Sequence, residues 1–432
     1  MAQLQPSWRK FHRNMAWARL VGFLSKWRFR LLIGVGAGLL LAGTLAWWRF
    51  GEPHFVRMAL ESPASGRCER KLSKQELGRS LDLTSRFLIA HQKPAGNFNY
   101  EYDYSTKTFS PDDNDVRQAG ALWGISLLLR DRPSPVLQQA VERGLAFFEE
   151  HSRGAKGGRR CVAYPGVRQG GTGTIALVAL AHIEYLRAFS SGQDDAARAG
   201  YRQRLGEYLR QLEHALREDG VWHGDYDSKN CRPGGEPSPY ADGEALLTLV
   251  KAAKYLGYKE LEPTILRAAA AGRKRNIDDA LAAHPDSDTT KGYYQWSSMA
   301  FYELVTSDML GVQSYGDTLL RLADWMIDEH DTLWRFRNTG YAYEGIIHAY
   351  AYAKQRGDTP RVEKYACVID VGLSRLLSWQ VGGPRGSSFA NRGAGDRLAL
   401  GGVQNEARAA PLRIDVTQHQ SHATLLALRY VY

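Results

Sequence analysis

Two kinds of helix alternate along most of this chain, and that alternation constrains the fold more than any other feature. One kind is amphipathic. In 136–151, Val136, Leu137, Ala140, Val141, Leu145 and Phe148 share one face, with Gln, Glu and Arg opposite. The pattern recurs at 74–92, 196–217, 259–273, 314–329 and 360–379. The other kind is apolar nearly all round, as in 117–130, 173–186, 243–256, 293–306, 341–354 and 421–432. A helix almost without a polar face must be buried on most sides. Ala121, Gly124, Ala179, Ala245, Ala349 and Ala427 lie in these buried stretches and allow close packing.

No period-two run of β-branched residues is long enough for a major sheet. Six outer and six inner helices in strict alternation predict an all-α (α/α)6 toroid. Three turns recur between an outer helix and the next inner one: Gly96-Asn97-Phe98-Asn99-Tyr100, Gly220-Val221-Trp222-His223 and Leu333-Trp334-Arg335-Phe336. With these turns and this architecture, residues 74–432 resemble the six-hairpin toroid superfamily of glycosidases, polysaccharide lyases and sugar epimerases. Terpenoid and lanthionine cyclases share the architecture, so the resemblance does not choose a chemistry.

The net charge of +10 invites a nucleic-acid reading, but its distribution excludes one. Residues 1–51 hold eight basic residues and no acid, while the remaining chain is nearly balanced at 48 against 46. Leu31 to Trp48 is an uncharged apolar run of 18 residues, bracketed by Arg30 and Arg49. That length suits a transmembrane anchor, and seven basic residues before it place the N-terminus in the cytoplasm. The expected organisation is a basic tail (1–30), a transmembrane anchor (31–48), a Pro/Gly/Ser linker (49–71) and the toroid domain (72–432). In a bacterium, this puts a single-pass protein in the inner membrane with its main domain in the periplasm. The tail is also a candidate contact for a membrane-protein partner.

Loops from inner to outer helix are often short, whereas those from outer to inner helix are long: 93–116, 152–172, 218–241, 280–292, 330–340 and 380–418. In a toroid the long loops share one rim with the N-termini of the inner helices, whose dipoles favour negative charge. The candidate residues cluster there. Asp112, Asp113 and Asp115 lead into the first inner helix with Arg117, and Asp115 suits a helix cap, a sugar hydroxyl or a cation. Glu244 and Glu344 sit in the first turns of two buried helices, beside Tyr240 and Tyr341. A buried carboxylate must be paired, capped or functional. Arg413, Asp415, His419 and His422 precede or open the last helix, which ring closure sets beside the first inner one. Trp222, Tyr293 and Tyr294 are candidates for stacking on sugar faces.

No cofactor and no metal are expected. The acidic run lacks the spacing of an EF-hand and a complete DDxxD motif, and His419 and His422 have no evident third ligand. Cys161 and Cys231 lie in neighbouring long loops, and Cys68 and Cys367 near outer helices that ring closure brings together. Two disulfides, Cys161–Cys231 and Cys68–Cys367, are therefore expected outside the cytoplasm.

The expectation is a membrane-anchored, extracytoplasmic carbohydrate-active enzyme that hydrolyses a glycan, with Glu244 and Glu344 as acid/base pair and Asp115 and His419 beside them. One alternative is a uronate lyase or epimerase, with Tyr or His moving protons and Arg117 or Arg413 holding the carboxylate. Another is a non-catalytic glycan-binding or scaffolding subunit of an envelope assembly.

Overall fold

The computed structural model describes residues 71–189 and 195–432. The tail at 1–30, the run at 31–48, Cys68 and all but the end of the 49–71 linker lie outside the described residues. Among the described residues, no helix is long and apolar enough to cross a membrane.

Six helices form an inner ring: α2 (Asp115–Asp131), α4 (Thr172–Ala188), α6 (Pro239–Leu256), α8 (Asp288–Val305), α10 (Gly340–Arg356) and α12 (Ile414–Tyr430). Each packs on the next, and α12 packs back on α2, which closes the ring. Six helices surround it: α1 (Lys74–His91), α3 (Pro135–Glu150), α5 (Asp195–Ala215), α7 (Glu262–Arg273), α9 (Ser314–Asp328) and α11 (Thr359–Leu377). The first outer helix packs on the last inner one, so the two ends of the toroid meet across the closure. The division of labour follows the residue pattern. α4 is buried from Thr172 to Leu186 without a break, while α3 buries only Leu137, Ala140, Val141, Gly144, Leu145, Phe147 and Phe148.

Helix boundaries depart from expectation at two inner helices. α8 starts at Asp288, not 293, because the Ser287 hydroxyl accepts from Thr290 N and caps it. α12 starts at Ile414, not 421, directly after strand β8. The long loop expected at 280–292 is also absent. α7 continues through a π-helical segment, Lys274–Asp279, to Ala283, leaving only 284–287 as a connection. Buried Asn276 in that segment donates to Asp242 of α6 and accepts from Thr290 of α8, which ties the π turn to the inner ring.

Four of the other five long loops carry small antiparallel sheets: β1 (Glu101–Asp103) between β2 (Thr108–Phe109) and β8 (Pro411–Arg413); a hairpin of β3 (Ser152–Ala155) and β4 (Arg159–Val162); and β6 (Asp225–Asp227) between β5 (Gln169–Gly171) and β7 (Arg232–Gly234). Cys161 of β4 and Cys231, beside β7, form a disulfide. Cys367 is disulfide-bonded as well. Two of the recurrent turns and the 380–418 loop have a common anchor. The backbone N–H of Phe98 donates to Gln118, that of Trp222 to Asp242 and that of Val403 to Thr417. Each acceptor is the fourth residue of the inner helix that follows, so one local device fixes where three loops meet the rim.

Candidate functional site

Helical spacing places the candidates in two layers at the N-terminal rim of the inner ring. Residues three or four apart share a helix face. Tyr240 and Glu244 on α6, Lys291 and Gln295 on α8, Tyr341 and Glu344 on α10, and Asp415 and His419 on α12 are such pairs. Contacts confirm the layering. Lys291 lies over the rings of Tyr240 and Tyr341, and one turn deeper Gln295, Glu344 and His419 meet.

Glu344 is fully buried. Its Oε1 accepts from His419 Nδ1 at 3.0 Å and its Oε2 from Gln295 Nε2 at 3.0 Å. His422 Nδ1 stands 3.5 Å from Oε2, within ion-pair range but without hydrogen-bond geometry. Burial works to raise the Glu344 pKa, yet the two histidines and their contacts hold it below the ordinary carboxylate range. Burial keeps His422 neutral by lowering its pKa. An ionised carboxylate only accepts, so His419 presents an N–H at Nδ1, and Nε2 is the ring nitrogen not engaged with Glu344. Gln295 Nε2 also lies 3.2 Å from His419 Nδ1, which is then an approach of two donors to one carboxylate. His419 keeps 25% of its side chain exposed while Glu344 keeps none. Because α12 is an inner helix, that exposed part faces the axial space at the rim.

Glu244 has the opposite character. It is 4% exposed, and no hydrogen bond to its carboxyl is found among the described residues. Burial, and secondly the charge of Asp115, push its pKa up to about 8, so it is protonated at neutral pH. Gly173 makes room for it: a Cβ there would lie 2.0 Å from Glu244 Oε2. Asp115 is near on the same side, accepting from Thr174 Oγ1 at 2.7 Å and Gly171 N at 3.4 Å. Asp115 is therefore not the helix cap. Asn114 takes that place by accepting from Arg117 N, its side chain being one residue better placed to reach back.

A second cluster closes the ring. Arg117 pairs with Asp415 at 3.2 Å, and Arg413 grips the same carboxylate with two nitrogens. Both guanidiniums lie over the Tyr100 ring, and Arg117 also donates to its hydroxyl. Arg413 and its charge partners overcome burial and keep Asp415 ionised, and His419 contributes to this, which links the two clusters. Asp113 is committed to structure, accepting from Gln118, Tyr164 and Asn114, while Asp112 is exposed.

Three expected stacking aromatics are not available to a sugar. Trp222 is buried and donates its indole N–H to Leu212 O, Tyr294 is buried and donates to Ala342 O, and Tyr293 is buried against Gly272. Their apolar rings fill the space between helix layers, which outweighs rim exposure. Tyr240 and Tyr341 do remain at the surface layer. Sequence reasoning missed Gln295, Lys291 and Trp123. Trp123 and Trp296 lie 5.4 Å apart between ring centroids and back His422 and His419 at 4.9 and 6.2 Å. The available signal was helical spacing, Lys291 and Gln295 lying four apart at the start of an inner helix. Below this layer the axis is closed by a charged plug, in which Glu184 accepts from Arg130, Arg187 and Lys251. A cavity of about 40 Å³ between plug and site is lined by His422, His348, Lys251 and Glu303, among others. Among the described residues, no group of three His, Cys, Asp or Glu is arranged to hold a metal ion.

No protein-family model matches the chain, and no curated protein matches it in sequence. Solved structures do. A D-mannose isomerase superposes with a TM-score of 0.58 at 11% identity, covering 83% of this chain and 98% of that one. The chain has an (α/α)6 toroid fold. The same toroid is found in a sugar epimerase from a ruminal bacterium, with a TM-score of 0.57 at 13% identity over 83% and 99% of the two chains. An α-1,6-mannanase of Salegentibacter, an inactive variant with two aspartates replaced and bound to α-1,6-mannotetrose, gives 0.56 at 8% identity over 82% and 99%.

Proposed function

We propose that this toroid is a carbohydrate-active enzyme working by general acid–base catalysis, with Glu244 as acid and His419, oriented by Glu344, as base. The observation that carries the reading is the opposite tuning of two carboxyls at one rim. Glu244 holds its proton to about pH 8, while Glu344 is ionised beneath an imidazole. Groups pushed apart in this way are the mark of an acid and a base assigned by environment. Glu344 has no accessible surface, so it reaches substrate only through His419. This replaces a direct Glu244–Glu344 pair with a carboxyl and a histidine.

In hydrolysis, Glu244 protonates the departing glycosidic oxygen and His419 Nε2 takes a proton from the attacking water. The sugar-processing enzymes that share the toroid support a glycan as substrate. A second reading is epimerisation or lysis, in which His419 removes a carbon-bound proton. It is favoured by the imidazole, rather than a carboxylate, being the exposed base. Incubating the full chain with glycans in D2O separates the two. New reducing ends with neither carbon-bound deuterium nor a new C=C bond indicate hydrolysis, deuterium at carbon indicates epimerisation, and an unsaturated sugar at the new non-reducing end indicates lysis. Absence of all three products with every glycan contradicts the proposal.

The site is placed outside the cytoplasm by the apolar run Leu31–Trp48, as part of the same proposal. The Cys161–Cys231 disulfide supports it, since disulfides persist in oxidising compartments.

A further inference from the structure

One turn above the acid–base layer lies a cation with no carboxylate in ion-pair contact, only Asp288 acting on it from a distance. Lys291 occupies the first turn of α8, between Tyr240 of α6 and Tyr341 of α10. Its Nζ donates to the Tyr240 hydroxyl at 3.1 Å and stands 5.7 and 5.5 Å from the two ring centroids. No carboxylate among the described residues comes within 4.0 Å of it. Three other rim cations are paired: Arg117 and Arg413 share Asp415, and Arg335 pairs with Asp286. Pro239 and the ring of Tyr240 pack on Gly292, where a Cβ would come within 3.0 Å of both, so the shelf is sterically set.

We propose that Tyr240, Lys291 and Tyr341 form a subsite for the carboxylate of a uronate unit, seated directly above Glu244, Gln295 and Glu344. This rests on the reading of the site as a glycan-processing centre and names its substrate class. The chemistry follows from the parts. Two phenol rings offer flat apolar faces to a sugar ring, as Tyr does in carbohydrate sites. The ammonium between them, already held by cation–π contact, lacks only an anion. The N-termini of α6, α8 and α10 add positive potential at the same rim. A neutral hexose would leave this charge without a counter-ion, whereas a uronate supplies one. The order of the layers also fixes a geometry. The uronate sits at the mouth, and its neighbouring glycosidic bond or ring carbon lies one helical turn deeper, at Glu244 and His419.

The test is binding, kept separate from turnover. The full chain in detergent is titrated calorimetrically with short oligosaccharides of polygalacturonate, alginate and hyaluronan, each paired with its carboxyl-reduced neutral form. The expected result is that at least one oligouronate binds at least tenfold more tightly than its reduced partner. Lys291→Met removes the difference and Lys291→Arg keeps it. Equal binding of each pair, binding of none, or a preference that survives in Lys291→Met overturns the inference. The two proposals fail separately. Turnover that is indifferent to carboxyl reduction sinks the uronate subsite alone, and uronate binding without any turnover sinks the enzymatic reading alone.

Discussion

His419 donates its Nδ1 proton to Glu344 at 3.0 Å, and of the two side chains only the histidine has accessible surface. The pair therefore acts as one unit with one working atom, Nε2. Replacing His419 by Asn is expected to lower kcat by about 10²–10⁴-fold, the usual range for a general base. Glu344→Gln should cost a large part of the same factor. The double variant should be no worse than His419→Asn alone, because residues that act as a unit are not additive. Multiplicative losses in a double-mutant cycle of kcat would show that Glu344 works independently.

Glu244 makes two linked predictions about pH. Its folded pKa of about 8 lies above the ordinary value of 4.5, so the folded state binds the extra proton between those limits. Stability contributed by this position therefore declines as pH rises from about 4.5 to 8, and is lowest above that window. Glu244→Gln removes the titration. It is expected to stabilise the protein by up to about 3 kcal/mol at pH 7 and by little at pH 4. Denaturation curves at the two pH values check this, and an equal effect at both would contradict it. Activity should fall on the basic side with an apparent pKa near 8, as the acid loses its proton.

Gly173 is a position where a single methyl should separate stability from function. It is the second residue of α4, where Ala gains less over Gly than the roughly 1 kcal/mol of a helix interior. Yet its Cβ would fall 2.0 Å from the Glu244 carboxyl, which must move aside. Gly173→Ala is expected to fold and to lose at least tenfold in kcat. Unchanged kcat in a folded variant would remove Glu244 from the acid's role.

The Cys161–Cys231 bridge spans 70 residues and ties the β3–β4 hairpin to the sheet of β5, β6 and β7. By chain entropy a loop of that length contributes about 4 kcal/mol. The double Cys→Ser variant should lower the unfolding midpoint, and a reducing agent should do the same to the natural chain. A midpoint unmoved by both would mean that the loops are fixed by their other contacts.

Much of the architecture was legible because burial leaves a strong periodic imprint. The all-round apolar α4 and the one-faced α3 read differently along the sequence for the same reason that they pack differently. The site was less legible. Glu244 and Glu344 look alike in sequence, each in the first turns of a buried helix beside Tyr and Gly, yet one is unpaired and the other is held by His419 and Gln295. That difference arises from neighbours 75 positions away for His419 and 49 for Gln295, which the packing of successive inner helices brings together. Tyr293 and Tyr294 misled for a related reason: an aromatic at a helix start reads the same whether its face turns to the rim or into the wall. Asp115 was read as a cap because it is acidic, whereas Asn114, one residue earlier, has the reach. Lys291 and Gln295 are two of several polar residues of α8, and only their four-residue spacing sets them on one face.

The most direct measurement is turnover by the full chain of the glycan it best processes, compared with Glu244→Gln and His419→Asn. The account predicts that each variant remains folded by circular dichroism and calorimetry and loses at least a hundredfold in kcat. Full activity in both folded variants would contradict it.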